Sequence, residues 1–140
     1  MEWITPKTDW DGDAINPTDY NRIKNNLLYL HNKINEHFPP DKPLPDLGVD
    51  KAYGDYYYAS EFNAFEDELE DLNKRAYNYD IGKKQIFVSL GKFITSNELN
   101  RIESATLKLY QMIEQIEGKS VRTAFKASKD YFPNKIRNRS

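Results

Sequence analysis

His31 and His37 are the only histidines in this 140-residue chain, and it has no cysteine. The missing thiol excludes a disulfide framework, cysteine-ligated zinc, an iron–sulfur cluster and a thiol nucleophile. A histidine base or metal ligand needs polar partners brought to it. His31 falls beside an apolar stripe and His37 at a helix end close to Pro39, so both read as structural. Asp9, Asp11 and Asp13 alternate like the start of a calcium loop. That loop needs glycine at its sixth position and glutamate at its twelfth, where this chain has Ala14 and Tyr20. The three aspartates read as a solvated turn, with an opportunistic cation left open. Glu66, Asp67, Glu68, Glu70 and Asp71 spread around a helix and read as a solvated face. No phosphate loop, nucleophile elbow or His-Glu-x-x-His helix is present. The expectation is a protein without catalytic residues, cofactor or resident metal.

Those side chains sit on a chain of 16.5 kDa with net charge −2, which does not suit nucleic acid as a partner. No apolar run approaches the roughly 20 residues that span a bilayer, and the first ten residues lack the order of a signal peptide. A soluble protein made in a cytoplasm is expected. Mean hydropathy is low, at −0.84. Ten Tyr, seven Phe and two Trp argue against disorder, because each aromatic ring can bury a large area.

An internal repeat organises the chain. Gly12–Leu30, Gly54–Leu72 and Gly91–Leu109 align without gaps. Each carries an acidic residue, an apolar residue and Asn in succession: Asp19-Tyr20-Asn21, Glu61-Phe62-Asn63 and Glu98-Leu99-Asn100. With Asn16, Tyr58 and Thr95 as N-caps, each acid falls at the third helical position. There a carboxylate can reach back to the cap amide and complement the helix dipole. Tyr58 is a poor cap, which leaves Ser60 as another start for the second helix.

Apolar residues then recur at alternating steps of three and four. The first stripe is Tyr20, Ile23, Leu27, Leu30 and Ile34. The second is Phe62, Phe65, Leu69, Leu72 and Ala76. The third is Leu99, Ile102, Thr106, Leu109, Ile113 and Ile116, and its other faces, with Arg101 and Glu103, read as solvated. The pattern predicts an all-α protein with helices near 17–37, 59–77 and 96–117. Extended proline-rich and aromatic linkers join them, and Gly118 stops the third helix. Residues 1–118 form the repeated region. Residues 119–140 form a short basic helix and tail, net +6 against −7 over residues 41–80. Lys84–Leu90 is the one strand-like run and is too short to make a sheet alone.

The segment Trp3-Ile4-Thr5-Pro6-Lys7-Thr8-Asp9-Trp10, followed by Asp19-Tyr20-Asn21-Arg22-Ile23, resembles units found in proteins encoded in the tail modules of phages that infect Gram-positive bacteria. The likeness is specific over residues 3–34 and weaker at 54–72, where Ala64 and Phe65 replace the Arg-Ile step, and at 91–109. It implies a virion structural protein of the tail, baseplate or fibre, and supplies no catalytic residues. Its partners would be other tail proteins and copies of itself in a symmetric assembly, without nucleic acid or membrane. The expected contact residues are the aromatic arms Trp3, Trp10 and Tyr56 and the seam residues Tyr20, Ile23, Leu27, Leu30, Phe62, Phe65, Leu69, Leu99, Ile102 and Leu109. A module binding host-wall saccharide through Trp3, Trp10 and the Tyr53–Tyr58 cluster is the alternative, and a tail-assembly chaperone is another.

Overall fold

The computed structural model describes residues 2–12, 15–76, 78–88 and 94–118. Three helices account for the regular structure of these residues: α1 Pro17–His37, α2 Ala59–Arg75 and α3 Ser96–Ile116. The protein is all-α, and no strand occurs among the described residues. The expected C-terminal helix, Asp13, Tyr77 and Gly91 lie outside them. The chain divides into two compact units, Met1–Leu109 and Tyr110–Ser140. In the second, the described residues complete α3 and bury Met112 and Ile113, and Gly118 follows at φ +75°.

Each helix starts where a carboxylate accepts the cap amide. The Asp19 carboxylate accepts the Asn16 N–H at 3.2 Å, Glu61 accepts that of Tyr58 at 2.7 Å, and Glu98 accepts that of Thr95 at 3.1 Å. At α1 the bond is reciprocated, since the Asn16 side chain accepts the Asp19 N–H, and Pro17 fills the first helical position. Tyr58 serves as the cap of α2 without a side-chain bond, so the reach-back of Glu61 suffices and Ser60 is not the start. α2 ends at Arg75, two residues earlier than its pattern predicts.

The stripes form the core. Tyr20, Ile23, Leu27, Leu30 and Ile34 on α1, Phe62, Phe65, Leu69 and Leu72 on α2, and Leu99, Ile102 and Leu109 on α3 are all buried. Tyr20 lies 5.0 Å from Phe65 and 6.1 Å from Phe62, ring centre to ring centre. Such aromatic contacts add to the burial itself.

The described linker residues form neither helix nor strand and are held by side chains. The Asn21 amide donates to the Lys51 carbonyl at 3.0 Å and accepts the Lys51 N–H at 2.7 Å. Asn63 does the same to Phe87, both bonds at 2.7 Å. Asn100 does it to Trp10, both at 2.8 Å. These are the asparagines of the acidic–apolar–Asn triplets. They close a cycle: α1 holds the approach to α2, α2 holds the approach to α3, and α3 holds the approach to α1. Three further pairs use the same clamp: Asn26 with Ile4, Asn35 with Lys42 and Asn73 with Tyr79.

Leu27→Ala removes a fully buried side chain from the core and should cost about 2–5 kcal/mol in urea unfolding. Asn63→Ala should cost about 1–3 kcal/mol, because it strands both main-chain groups of buried Phe87. Asn63→Asp keeps the acceptor but sets a carboxylate oxygen against the Phe87 carbonyl, so at neutral pH its loss should equal or exceed that of Asn63→Ala.

Candidate functional site

The clamps bring a second set of polar residues inside the fold. Glu103 on α3 is 1% exposed. Its carboxylate accepts both Arg22 Nε (2.8 Å) and Arg22 Nη2 (2.6 Å), the Trp10 indole N–H (2.8 Å) and the Lys7 N–H (3.3 Å). A fork-to-fork arginine–carboxylate pair is the strong form of this bond, and it compensates the burial of the charge. Arg22 also bonds Asp19 at 3.0 Å. Thus one carboxylate ties α1, α3 and the N-terminal arm together.

The aligned positions repeat the pairing once. Arg101 of α3 bonds Glu66 of α2, and Glu66 is 2% exposed. Burial pushes the Glu66 carboxyl up from its ordinary range, and the Arg101 guanidinium opposes that shift. Gly82, at φ +83°, lies so close that an added Cβ would sit 2.7 Å from Arg101 Cδ. In the third place the pair is absent. Ala64 stands where Arg22 and Arg101 stand, and Lys24 stands where Glu66 and Glu103 stand. Lys24 is buried and turns to Asp50, at 2.6 Å, whose carboxyl its hydrogen bond lowers.

These contacts correct two expectations. Glu66 and Glu68 do not belong to a solvated face, and neither does Glu103. Each is buried against a cation or an imidazole on another helix, which helical spacing within one segment cannot show. Glu68 meets His31: Oε2 lies 2.8 Å from Nδ1, while Nε2 is 3.0 Å from the Lys42 carbonyl. A carbonyl only accepts, so Nε2 carries a hydrogen, and the proton between Nδ1 and Oε2 is held jointly by the pair. His31 is 2% exposed and occupies a structural position.

The expected contact residues separate sharply. Tyr20, Ile23, Leu27, Leu30, Phe62, Phe65, Leu69, Leu99, Ile102 and Leu109 are spent in the chain's own interior. Within this chain the seams pack against one another as a bundle. Trp10 is 4% exposed, with the Lys7 ammonium 4.2 Å from its ring centre, and offers no open face. Trp3 is half-buried and packs on Tyr29 at 5.8 Å. Tyr56 alone of the three arm residues is open, at 75%. It belongs to a run that sequence reading only partly identified: Val49 is 84% exposed, Tyr53 85% and Tyr58 56%. The Tyr56 and Tyr58 rings lie 6.5 Å apart. Lys51, clamped by Asn21, supports the base of this run, with its ammonium 2.8 Å from Glu61 and 4.9 Å from the Tyr20 ring centre.

A cleft lies beside the 78–82 turn, lined by Glu66, Asn73, Tyr79, Gly82, Lys84 and Arg101. Its polar side chains bond within the fold: Glu66 to Arg101, Asn73 to Tyr79, and Lys84 to Asp67 and Glu70. The described aspartates of the N-terminal turn, Asp9 and Asp11, are exposed. Comparison of the chain with family models, curated proteins and solved structures finds no match.

Burial raises the Glu68 carboxyl above its ordinary value, the His31 bond opposing. A carboxyl raised in the folded state adds stability that is complete below its unfolded pKa, near 4.5, and is lost as pH climbs through the folded value. Glu68→Gln retains an amide that can bond His31 Nδ1 and removes this titration. Relative to wild type its melting temperature should therefore rise as pH climbs from the unfolded value towards the raised folded one, and level off beyond it. A constant difference across that range would show that Glu68 does not carry the effect.

Proposed function

We propose that the chain is a non-enzymatic structural connector of a phage tail, baseplate or fibre, which docks a neighbouring tail protein through the exposed segment Val49–Tyr58. The carrying observation is the concentration of Val49, Tyr53, Tyr56 and Tyr58 on the surface ahead of α2, whereas the other aromatic rings among the described residues are largely packed. Exposed apolar and aromatic side chains gathered on one segment favour an interaction surface, and tyrosine anchors carry much of the energy of such contacts. The likeness of residues 3–34 to phage tail-module units supports the setting. The mutual pairing of Glu66, Glu68, Glu103, Arg22, Arg101 and His31 supports a structural role for these groups. The saccharide alternative counted on Trp3, Trp10 and the Tyr53–Tyr58 cluster; Trp10 is covered, which leaves that reading the same exposed tyrosines.

The decisive measurement is quantitative mass spectrometry of purified particles from a phage that encodes the chain. The chain should be present at a fixed ratio to the tail proteins. Tyr53→Ser with Tyr56→Ser should leave the isolated protein's stability within about 0.5 kcal/mol of wild type and lower its incorporation severalfold. Wild-type chain missing from finished particles would overturn the connector reading and favour a chaperone.

A further inference from the structure

Phe87 is held along one edge of its backbone. Asn63 meets its N–H and its C=O, both at 2.7 Å. One amide reaches both groups only where they point the same way, which is extended backbone. The peptide bonds on either side are trans, since Pro39-Pro40 is the cis bond among the described residues. In a trans peptide the C=O and the N–H point opposite ways. The Ile86 C=O and the Val88 N–H are therefore turned away from α2. The alternation continues one step back. The Gln85 N–H donates to the carboxylate of Glu66, three residues after Asn63 on α2, which turns the Lys84 C=O outward too. Among the described residues, none of these three outward groups has a hydrogen-bond partner. The side chains follow the same alternation: Phe87 is buried, while Ile86 is 74% exposed and Val88 60%. Of the six clamped residues, Phe87 alone has apolar neighbours on both sides that are both exposed. The other five have a charged or polar residue on at least one side. Proteins commonly close such an edge with charge, proline or a covering element.

We propose that the edge Lys84–Val88 receives an extended, acidic-ended peptide segment of another protein as an added strand. Outward C=O and N–H groups at this spacing are matched by a second main chain in extended form. Ile86 and Val88 share one face, so the added strand packs apolar side chains at alternate positions against them. Charge decides what else the strand carries. Lys84 is engaged by Asp67 at 2.7 Å and Glu70 at 3.2 Å. Lys83, exposed at the head of the edge, has no ion-pair partner among the described residues. A carboxylate near the end of the incoming strand supplies one. The chain's own residues 119–140 hold seven basic side chains and one acidic, and residues 89–93 hold one lysine and no acid. Both have the wrong sign for this edge, so the occupant comes from another protein. The edge is separate from the segment Val49–Tyr58, and the proposal does not rest on the connector reading.

The probe is a dye-labelled peptide, Glu-Thr-Val-Thr-Val-Thr-Glu, whose end carboxylates can reach Lys83 in either strand direction. The full chain is titrated into it and fluorescence anisotropy is read. Saturable binding is expected. Val88→Pro removes an outward N–H, leaves both Phe87 bonds in place and favours the extended conformation that Phe87 already has. It should weaken binding severalfold. Lys83→Glu should also weaken binding severalfold, and should turn the preference towards the same peptide with lysine at both ends. Circular dichroism establishes whether each variant keeps its helices. If Val88→Pro does not, backbone methylation of the peptide decides. Methyl groups on the valine amides or on the threonine amides should abolish binding in one case and spare it in the other, because an added strand pairs along one edge. No saturable binding overturns the proposal, and so does binding that responds to charge alone. Light scattering that shows the chain by itself as a dimer, dissolved by Val88→Pro, would give the edge to a second copy and overturn the proposal as well. Absence of the chain from virions would overturn the connector reading and not this one.

Discussion

A carboxamide side chain has a donor edge and an acceptor edge, and their spacing matches the N–H and C=O of a single extended residue. Among the described residues, six asparagines use that match. Each satisfies both main-chain groups of one linker residue, which a neighbouring strand would otherwise have to do. Each bond is worth only about 0.5–1.5 kcal/mol net, but an unmet buried N–H or C=O costs as much or more. Chain without regular structure can therefore lie against the helices without forming a sheet. The helices in turn need the linkers, since Phe87 and Trp10 complete the buried surface beside the stripes.

The buried charges follow from the same closeness. Linkers and helices pack tightly enough that Arg22, Glu103, Arg101 and Glu66 leave water, and only paired geometry makes that tolerable. Glu103 is the most committed of them, because it serves α1 and the arm together. The third aligned position shows what happens without the arginine. With Ala64 in its place, Lys24 takes Asp50 and the Gly48 carbonyl as partners, and the linker supplies the countercharge that a helix supplies elsewhere.

Helix positions and stripes were legible because they depend on local spacing: capping carboxylates three residues from the cap, and apolar residues three and four apart. The asparagine of each triplet was visible as a fixed position. Its task was not, because the partner lies 24 to 90 residues away and contributes only main-chain atoms. Backbone leaves no mark in a sequence. The burial of Glu66, Glu68 and Glu103 was hidden for a related reason, since each is compensated by a residue on another helix. Tyr56 was identified as a surface aromatic and Trp10 was not recognised as covered. Both stand in linkers rich in aromatic residues, and composition does not tell which side of an extended chain faces inward.

Because a clamp of this kind grips peptide atoms, it is blind to what the gripped residue is. The six positions hold Ile4, Trp10, Lys42, Lys51, Tyr79 and Phe87, which share no chemistry. Only proline is barred, for want of an N–H. The prolines between α1 and α2 fit that rule, with Pro40 and Pro43 flanking Lys42 and none replacing it. Such a framework can let its outward side chains drift, and so change what it displays to a partner, while its helices and asparagines stay constant.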